Sequence, residues 1–213
     1  MIYKPFSNLY DEVMIDVGGV TTAVALNAIR KAAIEFCDLS KVWVVDADPI
    51  SSIANQSVYQ FEPESGTEVC GIVQAYYNGT PITTATADQL EAEFTATAAW
   101  KDVPGTPQYY TQERSDEFIL TPYPETGIAD AIKMLVALKP TRTATGMEAW
   151  VIDKYFEDIA AGAKAKLFKM AKKPWTDYPL ADNYQKSFDR AASSVSALSA
   201  FKLPTTAIST STI

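Results

Sequence analysis

In residues 21–37 the apolar side chains Ala25, Leu26, Ile29, Ala32, Ala33 and Phe36 return at spacings of three and four, which places them on one stripe of a helix. Thr21 or Thr22 can cap that helix, and Gly18-Gly19 mark a flexible approach to it from residues 10–17. After Ser40 the period changes. Short β-rich runs at residues 42–45, 57–61 and 67–77 are bounded by Pro, Gly, Asn and Ser. Asn78-Gly79, set between Tyr76-Tyr77 and Thr80, is the pair favoured where both turn residues need positive φ, so a tight hairpin is expected there.

The middle of the chain continues with a short helix over residues 87–94, started by Thr86. Strands at 108–111, 117–121 and 131–138 follow, separated by Pro104, Pro107, Pro122 and Pro124. About six strands at this spacing predict a small antiparallel sandwich or half-open barrel. Helical periodicity returns after Gly146, where Trp150, Ile152, Phe156, Ile159, Ala163, Leu167 and Met170 share a face until Pro174 ends the run. Asp177 and Pro179 open a further helix with Leu180, Tyr184, Phe188, Ala191, Val195 and Leu198 on one side.

An amphipathic helix needs a partner for its stripe, and the first lies far in sequence from the other two. The expected fold is therefore α+β: a helical bundle built from both chain ends, with an inserted small antiparallel β-sandwich or half-barrel domain and an extended C-terminal tail. The expected boundaries are 1–41 for the N-terminal arm and helix, 42–140 for the β domain, 141–201 for the closing helices and 202–213 for the tail. In that tail, Pro204 breaks the helix, and residues 205–213 are Thr, Ser, Ala and Ile without a charged side chain. Such a segment builds no core, and suits either a disordered end or a strand or extended arm added to a neighbour.

Composition narrows the function. At 47% hydrophobic and 21% charged residues, the 213-residue chain has what an ordinary globular core requires. The formal charge of -8 disfavours general attraction to phosphate backbones. The local cations Lys164, Lys166, Lys169, Lys172 and Lys173 read as complements to a helix C-terminus. Residues 1–10 hold one Lys and no long apolar run, and no window approaches the roughly 20 apolar residues of a membrane span, so the expectation is a protein made and kept in a cytoplasm-like compartment.

There is no histidine, which removes the Ser-His-Asp and Cys-His arrangements, the commonest general base near neutrality and the commonest metal ligand. Cys37 and Cys70 have neither a nearby Cys partner nor a His, and read as buried thiols. The nine glycines form neither GxGxxG nor GxxxxGK[ST]. Asp46 with Asp48 and Glu91 with Glu93 do not by spacing make an acid pair for sugar hydrolysis. Asp11, Glu12 and Asp16 lack the ligand spacing of a calcium loop and read as a solvated acidic loop. In Tyr76-Tyr77 and Tyr109-Tyr110, strand alternation turns one ring of each pair toward the core. No catalytic, cofactor-binding or metal-binding residue is assigned, and no cofactor is expected.

The helix Ala25-Leu26-Asn27-Ala28-Ile29-Arg30-Lys31-Ala32-Ala33-Ile34-Glu35-Phe36-Cys37 followed by Trp43 is one landmark of a longer ordered set. After it come Val58-Tyr59, the Asn78-Gly79 hairpin, Gly105-Thr106-Pro107-Gln108-Tyr109-Tyr110 and Ile119-Leu120-Thr121-Pro122-Tyr123-Pro124. Tyr155 to Leu167, Lys173-Pro174-Trp175, Leu180-Ala181 and Phe188 close it. In order and spacing, from about Asp16 to Leu198, this set resembles head-to-tail adaptor or connector proteins, of gatekeeper type, from tailed bacteriophages.

The resemblance implies a structural virion protein of the neck or tail, assembled in the host cytoplasm, and not an enzyme. It implies a homo-oligomeric ring, of dodecameric form, whose partners are the portal protein and a tail or nozzle protein. Genomic DNA would pass through the lumen without sequence-specific binding, and no membrane is involved. Thr205, Ile208 and Ile213 of the tail, with Tyr184 and Phe188 of the last helix stripe, are the interface candidates. The alternatives are another ring-forming neck or tail component such as a tail terminator or tube protein, a carbohydrate-binding module using aromatic platforms, and an enzyme working through carboxylates alone.

Overall fold

The computed structural model of the chain describes residues 2–94 and 99–202, with side chains up to residue 196. The fold is mixed α+β, with six α-helices and nine strands among the described residues. It divides into two compact units: a helical unit from Met1–Val42 and Arg142–Ile213, and a β unit from Trp43–Thr141.

In the helical unit, β1 (Tyr3–Pro5) leads through a 3-10 turn into the short helix α1 (Tyr10–Met14) and then α2 (Thr22–Ser40). Thr21 starts α2 in extended conformation, with its carbonyl receiving the N–H groups of Val24 and Ala25, and its side chain makes no capping bond. The buried stripe of α2 is Ala25, Ala28, Ile29, Ala32, Ala33, Phe36 and Cys37, while Leu26 is half-buried.

The helical run expected after Gly146 is two helices, α4 (Ala149–Lys154) and α5 (Phe156–Phe168), broken at Tyr155 (φ -115°, ψ 29°). At the break the Tyr155 ring lies 5.0 Å from that of Phe36, in the core. Trp150, expected on the apolar stripe, is 41% exposed because the break separates it from the α5 face. Helix α6 (Tyr178–Lys202) is opened by Asp177, whose Oδ1 accepts the Leu180 N–H at 3.0 Å. Its buried face is Ala181, Phe188 and Ala192, so the stripe runs one residue beside the expected Leu180–Tyr184–Ala191 line.

Helices α2, α5 and α6 pack against one another, and α1 lies on α2 and α5. The close approach is made by Gly162 in α5: a Cβ there would meet the Phe188 ring at 2.5 and 2.6 Å and Ala32 Cβ at 3.2 Å. The chain ends also form a two-stranded antiparallel ribbon, β1 with β9 (Gly146–Glu148). A Cβ on Gly146 would sit 2.2 Å from the Lys4 carbonyl oxygen, so only glycine admits the pairing.

The β unit is one curled seven-stranded sheet of order β2 (Val44–Asp46), β8 (Ile132–Pro140), β4 (Thr67–Tyr77), β5 (Thr80–Thr84), β6 (Tyr109–Thr111), β7 (Glu117–Thr121), β3 (Val58–Gln60). The β4–β5 hairpin turns at Asn78 (φ 48°) and Gly79 (φ 81°), the two positive values that an Asn-Gly turn supplies. The sheet is not purely antiparallel as expected, since β5 and β6 are parallel. A parallel pair requires a crossover, which carries α3 (Ala87–Phe94) and a 3-10 turn at Trp100–Asp102. Helix α3 opens on reciprocal bonds: the Gln89 N–H donates to Thr86 Oγ1 at 3.3 Å, and the Thr86 N–H donates to Gln89 Oε1 at 2.9 Å. Leu90 then packs with Trp100 and Ile119, while Tyr59 stacks on Phe118 at 5.6 Å and Phe61 meets the same ring at a tilt at 4.9 Å.

Candidate functional site

The chemistry-bearing side chains of the helical unit gather where α1, α5 and α6 meet. Lys164 follows Ala160 by one helical turn and precedes Phe168 by another, so the spacing of α5 carries it inward, and its side chain is only 7% exposed. Its ammonium lies 2.6 Å from Asp16 Oδ2 and 3.2 Å from Glu12 Oε1. The Tyr184 hydroxyl donates to the same Asp16 oxygen at 2.8 Å, and the Lys164 ammonium stands 5.5 Å from the Tyr184 ring centroid. Tyr184 in turn stacks on Phe168, centroids 6.0 Å apart and planes within 10°.

Asp16, Lys164 and Tyr184 are each held in their ordinary neutral-pH state. Hydrogen bonds from Lys164 and then from Tyr184 hold the Asp16 carboxyl below the usual carboxylate range. Burial works against the charge on Lys164, but hydrogen bonds to Asp16 and Glu12 overcome it and leave its pKa raised. Burial, with the bond to Asp16, pushes the Tyr184 phenol up. A general base among lysines needs a depressed pKa and a general acid among carboxyls a raised one, so these shifts run opposite to catalytic tuning and fit a structural clasp. Among the described residues no group of His, Cys, Asp and Glu side chains could hold a metal ion.

This geometry revises several readings of the sequence. Asp11, Glu12 and Asp16 do meet water, as expected of a solvated acidic segment, but Glu12 and Asp16 also receive a buried lysine. The lysine series is not one exposed helix end: Lys164 is enclosed, Lys166 is bound to Glu35, and Lys169, Lys172 and Lys173 are exposed. Of the interface candidates, Tyr184 is half-buried beside an open cleft of about 350 Å³ that Leu180, Asn183 and Ser187 also line. Phe188 is fully buried against Gly162 and 5.9 Å from the Phe36 ring, so it packs the core and offers no surface to another molecule. Thr205, Ile208 and Ile213 lie outside the described residues. Cys37 is buried as expected, whereas Cys70, whose strand neighbours alternate in depth, is half-buried.

Two further surfaces had no signal in the periodicity. Ile2 (77%), Tyr3 (41%) and Trp150 (41%) are exposed on and beside the β1–β9 ribbon, which brings together residues nearly 150 positions apart. A groove of about 620 Å³ along α2 is lined by Arg30, Lys31, Arg142 and Lys166 together with Glu35 and Asp38. In the β unit every described aromatic ring is buried or half-buried, and Tyr109 is held by a 2.8 Å bond to Glu93 and an edge contact to Phe94. No helix among the described residues is long and apolar enough to cross a membrane.

Compared with known proteins, the chain matches one family model, described as SU10 adaptor protein, over residues 5–207. No curated protein matches it.

Proposed function

Because the chain belongs to the SU10 adaptor protein family, we propose that it is a structural, non-catalytic virion protein of a tailed bacteriophage that joins the head to the tail. The observation that carries this reading is the extent of the match, which takes in both units and not one domain alone. In the proposed assembly, copies of the chain form a ring, of dodecameric form, beneath the portal in the virion neck. The helical unit, a bundle contributed by both chain ends, seats on the portal, and the β unit faces a tail or nozzle protein.

The exposed Ile2, Tyr3 and Trp150 support a contact role for the helical unit, since large apolar side chains left in water gain when a partner covers them. Genomic DNA passes through the lumen. Residues 43–141 carry 14 acidic against 4 basic side chains, and a like-charged wall lets a duplex slide where a cationic wall would hold its phosphates. The uncharged residues 205–213 act as an arm laid on a neighbouring adaptor or portal subunit, with Thr205, Ile208 and Ile213 as its contacts.

Electron cryomicroscopy of the purified protein mixed with its virus's portal, or of the intact virion neck, tests the reading. A ring of this chain under the portal is the expected result, and it fixes the number of subunits. A chain that stays monomeric beside the portal and is absent from the neck refutes it, whereas a ring placed farther down the tail assigns it to a terminator or tube role instead.

A further inference from the structure

The acidic excess of the chain belongs to one unit. Residues 43–141 hold 4 Lys and Arg against 14 Asp and Glu, a formal charge of -10, whereas the rest of the chain holds 14 against 12, or +2. The β unit is therefore strongly acidic and the helical unit nearly neutral, and each carries a local feature that concentrates charge of one sign.

On the helical unit this is the α2 groove. Arg30 is oriented from below: its Nε donates to the Ala144 carbonyl at 2.7 Å and its Nη1 to the Arg142 carbonyl at 3.2 Å. A guanidinium has five N–H groups, so three remain to be satisfied from outside. Lys31 and Arg142 flank it with exposed side chains, and Lys166 is tied to Glu35 at the far wall.

On the β unit it is the turn between β3 and β4, Glu62-Pro63-Glu64-Ser65-Gly66. Both carboxylates are exposed, and neither has an ion-pair partner among the described residues. The turn is held in one shape. The Thr67 N–H and hydroxyl both donate to the Glu64 carbonyl, at 3.0 and 2.7 Å, the Thr141 N–H donates to that of Gly66 at 2.9 Å, and Pro63 fixes its own φ. A rigid segment loses little conformational entropy when it docks.

We propose that the Glu62-Pro63-Glu64 turn of one copy docks in the Arg30–Lys31–Arg142–Lys166 groove of a second copy. Donor and acceptor are different segments of the chain, so a contact between copies can run head-to-tail and repeat until rotation closes it into a ring. The inference rests on the ring reading above and adds which surfaces meet. A continuous phosphate backbone fits the groove less well, because Glu35 and Asp38 stand in its walls, whereas a turn with two carboxylates meets the cations between them.

The test is sedimentation velocity of the full chain, alone and with its portal, from about 20 to 300 mM NaCl, a span over which screening grows steeply. The variants are Lys31→Glu with Arg142→Glu, Glu62→Lys with Glu64→Lys, and the four changes combined; all four side chains are exposed, and far-ultraviolet circular dichroism checks the fold. The expected result is self-association that weakens with salt, falls roughly tenfold or more in either pair of reversals, and returns to within about threefold of wild type in the combination. Reversals that associate as wild type does, or a combination that stays as weak as its parents, overturn the proposal while leaving the ring intact. Normal association with loss of duplex DNA retention in Lys31→Glu/Arg142→Glu overturns it in favour of a phosphate site. Wild-type chain that remains monomeric with portal at every salt overturns both this contact and the ring.

Discussion

Replacing Gly162 with Ala tests the packing on which the helical unit depends. In an isolated helix the change is favourable, because glycine costs about 1 kcal/mol relative to alanine in a helix interior. Here the added methyl would lie 2.5 and 2.6 Å from two carbons of the Phe188 ring and 3.2 Å from Ala32 Cβ, all well inside van der Waals contact. Phe188 has no exposed surface to swing into, and Phe36 lies 5.9 Å from it on another side. Overpacking of this kind costs typically 1–3 kcal/mol, and with two rigid neighbours the upper half of that range applies. Subtracting the propensity gain leaves a net loss of about 1–2 kcal/mol, or a fall in melting temperature of roughly 2–8 °C for a chain of this size. Thermal melts followed by circular dichroism read it directly. A double-mutant cycle with Phe188→Leu should recover about 1 kcal/mol of the summed single losses, since the smaller side chain vacates the space the methyl needs. If Gly162→Ala melts at or above the wild-type temperature with no coupling to position 188, α5 and α6 are not in the close contact described.

Lys164→Met removes the cation between Asp16 and Glu12 while keeping an apolar stem, and should cost about 1–2 kcal/mol; the two carboxylates are each about one-third exposed, so water repays part of the lost pairing. Equal melting temperatures for Lys164→Met and wild type would show that the clasp contributes nothing. The same cluster sets an acid limb: Asp16 has a folded pKa below its unfolded value, so its contribution is present above about pH 4 and disappears as the pH falls through the lowered value. The difference in melting temperature between wild type and Asp16→Asn should accordingly shrink below pH 4, and a constant difference down to pH 2 contradicts the assignment. Thr86→Ala deletes one half of the α3 capping pair and should destabilise the β unit by about 1 kcal/mol, measured by urea unfolding, with Thr86→Ser close to wild type. Deletion after Leu203 should weaken incorporation into portal-bound rings in a pull-down at near-equal subunit stability, and unchanged incorporation removes the arm from the assembly.

The parts of this fold that were legible in the sequence are those whose signal is local. The Asn78-Gly79 turn needs two positive φ values and names itself, Thr86 and Gln89 lie three apart and form a capping pair, and the strands at 67–77 and 117–121 follow from β-branched and aromatic runs between turn residues. What escaped is decided at long range. The β1–β9 ribbon joins residues nearly 150 positions apart and depends on Gly146 having no side chain, which a three-residue strand cannot advertise. Tyr155 interrupts an apparently continuous stripe because its ring is wanted in the core beside Phe36, and no spacing rule within the helix carries that demand.

The candidate surfaces divide in the same way, and the division explains why a charge count over the whole chain misleads. A formal charge of -8 is the sum of two units that differ by 12 charges, and it hides both the cationic groove and the carboxylate-rich sheet. Helical spacing did carry one usable signal: Lys164 is flanked at i-4 and i+4 by Ala160 and Phe168, which predicts an inward lysine in need of a carboxylate. Its partners Glu12 and Asp16 were visible as a pair of acids one turn apart near α1, but nothing in the sequence joins the two observations until α1 is laid against α5. The groove is harder still, since Arg142 enters it from the segment that follows the β unit, about a hundred residues after Arg30. In a member of an adaptor family the residues that form surfaces are placed by the tertiary fold, so their signatures become readable only once charge is counted unit by unit and face by face.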